Sequence, residues 1–175
     1  MHRSKTLTIL AGLAVAGTLM AADAPKAVLQ TVMLTQVNPQ GLALWDITNK
    51  AIDSSGGVDA KKITAEQWTR LLSIGKALEA GGRTLATSNG ITAAPPGAKL
   101  QDETPATGHA ADVQRYLDAK PAVFKAKAQK LQETGAKVVA AAMKRDGKAL
   151  SDLSSDLDEV CEACHVIFWY PDQKK

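Results

Sequence analysis

The chain has 175 residues, with 21 Lys and Arg against 18 Asp and Glu, a net charge of +3, and two cysteines. This length suits one domain with a sizeable core. Without Arg3 and Lys5 the balance is 19 basic to 18 acidic residues, unlike a nucleic-acid binder, whose Lys and Arg cluster on one face.

Residues 1–22 read as a signal peptide. Arg3 and Lys5 precede a weakly polar-to-apolar run, Leu7 to Met20, of the length expected for a secretory segment and too rich in Gly and Ala for a membrane span. Ala21, Ala22 and Ala24 supply small residues for cleavage after Ala21 or Ala22. No cysteine lies nearby to carry a lipid anchor. The expectation is a soluble periplasmic domain over 25–172.

The first helical segment runs from about Pro25 to Ile52, with apolar residues at Val28, Leu29, Val32, Met33, Val37, Leu42, Leu44, Trp45 and Ile47. Pro39 lies inside it, lacks an amide proton and crowds the carbonyl of Thr35, which predicts a kink. Gly56 and Gly57 separate it from a second helix. That helix opens at Thr64 with Gln67 three residues on, a capping-box pattern, and runs toward Leu85. A long connection follows from Ser88 to Lys120, containing Pro95 and Pro96; loops this long are usually functional or partly ordered. Asp112 to Asp118 is expected to add a short helix.

The third long helix spans about Pro121 to Lys144, with Gly147 as its stop signal. Lys125, Lys127 and Lys130 read as its solvated face. The fourth begins near Ser151, carries acid in its N-terminal half as the helix dipole prefers, and ends before Pro171. No segment alternates convincingly at period two. Four amphipathic helices joined by two short connections and one long one predict an all-α fold, an antiparallel four-helix bundle.

The fourth helix carries the chemistry. Cys161-Glu162-Ala163-Cys164-His165 is a C-x-x-C-H sequence, the local pattern for covalent attachment of a c-type haem. Two thiols three positions apart share a helix face, so both can add to the vinyl groups along one side of a porphyrin. His165 follows at once, and its imidazole can bind the iron as proximal ligand. Two other chemistries use Cys-x-x-Cys. A thioredoxin-like disulfide belongs near a βαβ pattern, which is lacking here. A structural zinc needs four ligands, and only His109, in the long connection, could extend the set.

Met33 lies on the same stripe as Leu29 and Val37, four residues to either side, so its thioether faces the bundle interior. Sulfur suits ferrous iron, although a core Met can equally fill an irregular gap. Met20, Met143 and His109 are the other sulfur and imidazole side chains weighed as ligands. Trp45, Trp68 and Trp169 read as core or haem-pocket packing. There is no Ser/His/Asp set and no phosphate-cradling glycine loop, so the expectation is an electron-transfer protein rather than an enzyme.

A C-terminal C-x-x-C-H on the last helix of an exported bundle resembles the cytochrome c′ family, over about residues 25–172. One low-spin branch is closer: Met33 followed by five residues and Pro39, then Leu44-Trp45-Asp46, and Phe168-Trp169-Tyr170-Pro171 after the histidine. The resemblance implies one covalent haem c on Cys161 and Cys164, iron held by His165, and Met33 on the distal side. Gas-binding members carry a basic residue a turn after the haem histidine, where this chain has Phe168 and Trp169. The implied function is a periplasmic carrier of single electrons to or from an unidentified redox partner. The alternatives are a gas-binding protein for nitric oxide or carbon monoxide, and a haem subunit of a larger oxidoreductase. A homodimer through the first two helices is also implied.

Overall fold

A computed structural model describes residues 26–100 and 109–171, so the expected signal segment, residues 1–22, lies outside the described residues. The protein is mostly helical and all-α in class. A short strand β1 (Ala27–Val28) leads into α1 (Leu29–Val32), a π-helical turn (Met33–Val37) and α2 (Asn38–Lys50). Then come a 3₁₀ turn (Ala60–Lys62), α3 (Ala65–Thr87), strand β2 (Ile91–Thr92), α4 (Ala110–Ala119), α5 (Pro121–Lys144) and α6 (Gly147–Phe168). The four long helices close on one another: α2 packs on α3 and α6, and α5 packs on the same two.

Local chemistry sets most of these boundaries. The Thr64 side chain accepts from the Gln67 amide while Gln67 accepts from the Thr64 amide, completing the expected capping box. Pro121 occupies the first turn of α5, where its missing N–H costs nothing. The end of α5 differs from expectation. Arg145 takes the left-handed conformation (φ 52°), and the Asp146 side chain accepts from the Ala149 amide at 3.0 Å, so α6 starts four residues before Ser151. Gly147 is therefore the first residue of α6 rather than a stop signal. It is glycine because a Cβ there would lie 2.4 Å from the Val58 carbonyl oxygen.

The core is built from Leu44, Leu71, Ile74, Leu78, Val138, Leu150 and Leu157, all fully buried. Around it α3 and α5 come backbone to backbone. A Cβ on Gly82 would lie 2.4 Å from the Gln132 nitrogen, one on Gly135 2.3 Å from the Glu79 nitrogen, and one on Gly75 2.7 Å from the Val139 nitrogen. Contacts descend along α5 as they ascend along α3, so the two helices are antiparallel. Between α2 and α6 the link is polar: the Trp45 indole N–H donates to the Ser154 carbonyl at 3.0 Å, and the buried Thr48 hydroxyl lies 3.1 Å from that of Ser154.

Two expectations about the connections are refined. Among the described residues, strand pairing exists only as the two-residue parallel register Ala27↔Ile91 and Val28↔Thr92 and the bridge Ile52↔Val58. The long connection is ordered where described because Gln114 of α4 clamps it, accepting from the Ala93 amide at 2.8 Å and donating to the Ile91 carbonyl at 3.1 Å. Gln30 of α1 adds a hydrogen bond to the Lys99 carbonyl at 2.7 Å. These bonds roof the space between α1, α5 and α6.

Candidate functional site

Helix α6 changes its neighbours along its length. Leu150, Leu153 and Leu157 are buried in the core, while Cys161, Cys164 and His165, one to two turns on, are half-buried. Spacings of three and four keep Val160, Cys161, Cys164 and Phe168 on one side of the helix. That side borders a cleft of about 90 Å³, partly open to solvent.

The walls are almost entirely apolar. The first helical segment contributes Leu29, Met33 and Leu34, α5 contributes Phe124, Ala128 and Leu131, and the roof contributes Ala93, Leu100 and Val113. Phe124 and Phe168 meet edge to face at 5.4 Å and 86°, closing one end. A second cleft of about 260 Å³, lined by Gly41, Trp45, Asp158 and Glu162, lies against the same helix, and Cys161 and His165 border both.

The residues after the pentad fold back over it. The amides of Trp169 and Tyr170 donate to the His165 carbonyl at 2.8 and 3.0 Å. Their rings meet the imidazole edge-on, at 5.3 Å and 70° for Trp169 and at 5.9 Å and 61° for Tyr170. The Tyr170 hydroxyl donates to the Glu162 carboxylate. The imidazole is thereby held between its own helix and an aromatic tail.

Burial governs the electrostatics. It pushes the Cys161 thiol up to about 11, helped by Asp158, and the Cys164 thiol up to about 12, with Lys127 opposing. Reactive Cys-x-x-Cys pairs sit in electropositive places such as helix N-termini, which depress the thiol pKa. Here both thiols lie near a helix C-terminus, at the negative end of the dipole. Burial also lowers the His165 pKa, which favours the neutral imidazole, the metal-ligating form. Cys161 and Cys164 are not joined in a disulfide, and among the described residues no three His, Cys, Asp or Glu side chains gather as a zinc site requires.

All four residues singled out in the sequence, Met33, Cys161, Cys164 and His165, border one cleft. His109 instead begins α4, exposed. Met143 is 72 % exposed at the far end of α5, and Met20 lies outside the described residues. Trp68 is core, and Trp169 lines the cleft as expected. Lys127, read as part of a solvated face, is half-buried at the cleft. Its signal was its place one position before Ala128 on the apolar stripe. Leu42, counted in the first apolar stripe, is 65 % exposed.

In comparisons with family models, with curated proteins and with solved structures, nothing matches this chain.

Proposed function

We propose that this chain is an exported carrier of single electrons with one covalent haem c, in an antiparallel four-helix bundle of the cytochrome c′ kind. The observation that carries the reading is the convergence of Cys161, Cys164, His165 and Met33 on one apolar cleft. The ring of contacts joining α2, α3, α5 and α6 and the antiparallel run of α3 against α5 support the bundle.

The donor set fits the group. Cys161 and Cys164 offer two sulfurs on one helix face, buried enough to be poor thiolates, and as thioethers they would carry no proton to lose. His165 offers a neutral imidazole whose orientation is constrained by Trp169 and Tyr170. Met33 offers a soft sulfur for a sixth position. When bound, haem supplies one-electron exchange at its iron, with a potential set by axial ligands, burial and nearby charge. The apolar walls offer water few hydrogen-bonding partners. Lys127 is the basic side chain at the cleft available to an acidic cofactor edge. If His165 and Met33 were both to hold the iron, the protein would leave no position open for a substrate.

Export of the full-length chain in a host with c-type haem maturation tests the proposal. The expected product has lost its leader and carries one haem that survives denaturing electrophoresis. Changing both Cys161 and Cys164 to Ala is expected to abolish that retained haem. Retention in the double variant, or a mature product with free thiols, would contradict the proposal.

A further inference from the structure

The first helical segment is not a single α-helix. Over Met33–Val37 it widens to a π-helical turn in which the Asn38 amide donates to the Met33 carbonyl, five residues back. In a continuous α-helix the residue four before Val37, Met33, would lie about 40° from it around the axis, and Val32 about 140° away. The structure reverses that ranking. Val32 and Val37 are 5 % and 3 % exposed and converge on α3, where a Cβ on Gly81 would lie 3.0 Å from Val37 Cγ2 and 3.7 Å from Val32 Cγ1. Met33 is half-buried and lines the cleft.

Directly after the wide turn stands Pro39, in the first turn of α2. In an unbroken α-helix its nitrogen would face the Thr35 carbonyl, which it cannot bond and which its ring crowds. Widening the turn moves that carbonyl off the ring. Thr35, inside the widened stretch, adds a hydroxyl bond to the Thr31 carbonyl of α1 at 2.7 Å, tying the wide turn to the helix before it.

We propose that Pro39 is the positioning residue for the Met33 thioether: it holds open the π-helical turn whose extra residue gives the α3-facing place to Val32 and leaves Met33 to the cleft. The consequence for iron rests on the proposed haem reading; the helical register does not.

The test is Pro39→Ala in the full haem-loaded protein, alone and combined with deletion of the exposed Thr35. With Pro39→Ala alone, the N–H of Asn38 is expected to move from the Met33 to the Leu34 carbonyl, seen by crystallography or by scalar coupling across the hydrogen bond. Met33 then takes Val32's place on α3, and the ferric spectrum shifts from low to high spin while the haem stays covalently held. Deleting Thr35 in that background sets Val32 four residues before Val37, and the low-spin spectrum is expected to return. Loss of a merely structural proline would not be rescued by shortening the helix. An Asn38 bond that stays on Met33, or a deletion that restores nothing, would overturn the inference. If the unaltered protein is itself high-spin, the ligation reading fails, and the Asn38 hydrogen bond alone decides whether Pro39 sets the register.

Discussion

Cys161 and Cys164 differ from reactive cysteines in where they stand, near the end of a 22-residue helix and turned toward an apolar cleft. Their folded-state pKa values, about 11 and 12, exceed the roughly 8.5 of an unfolded cysteine. Above pH 8.5 the unfolded chain releases thiol protons that the folded chain keeps, so the unfolded state binds fewer protons and stability falls as pH rises. The haem-free protein is therefore expected to lose stability between about pH 8.5 and 12, read as a falling urea midpoint. The haem-loaded protein has no thiol to titrate and should lack that loss. Equal alkaline loss in both forms would contradict thioether attachment.

Lys127 makes a second prediction at this scale. Removing a positive charge near the site favours the more positive, ferric state, so Lys127→Gln is expected to lower the reduction potential. A unit charge about 10 Å from a redox centre, at an effective dielectric of 20 to 80, is worth roughly 20–70 mV. Protein-film voltammetry reads the shift, and a rise in potential would contradict the placement.

At the scale of elements, the backbone approach of α3 to α5 leaves no room for side chains. Gly82→Ala puts a methyl group against the Gln132 backbone and is expected to cost about 1–3 kcal/mol or more, although Ala is the better helix former by roughly 1 kcal/mol. A milder loss of about 1 kcal/mol is expected for Thr64→Ala, which removes half of the capping box. Chemical denaturation checks both, and a stabilised Gly82→Ala would show that the helices are not in contact there.

What was legible in the sequence divides along the same line. Signals that act within one turn were readable: the Thr64–Gln67 box, Pro121 at the start of α5, and the short helix expected over Asp112 to Asp118, which extends two residues earlier and one later as α4. Signals that depend on a distant partner were not. Gly147 looked like a helix stop because its reason for being glycine, the Val58 carbonyl, is almost ninety residues away. Met33 and Val37 shared a stripe under the 3.6-residue period, and only the register against Gly81 shows that Val32 replaces Met33 on α3. That Met33, Cys161, Cys164 and His165 belong together was legible from the pentad and from Met33's place on the first stripe, and the four do border one cleft. The cleft walls were not, since Val113, Leu100 and Phe124 meet through tertiary packing.

For the molecule as a whole, the long connection and α4 roof a space that the long helices leave open at one end. The roof depends on Gln114, whose side chain serves both Ile91 and Ala93, and on Gln30, which reaches Lys99. The cleft therefore exists as a shaped, apolar volume with donors from the first and last helices.

The central claim is tested most directly by the ferric optical spectrum of the exported, haem-loaded protein, recorded beside that of Met33→Ala. The account predicts a low-spin spectrum with a sulfur-to-iron charge-transfer band at its red end, and conversion to high spin in the variant with the haem still covalently held. A high-spin spectrum in the unaltered protein would contradict the account and favour a gas-binding protein with an open sixth site.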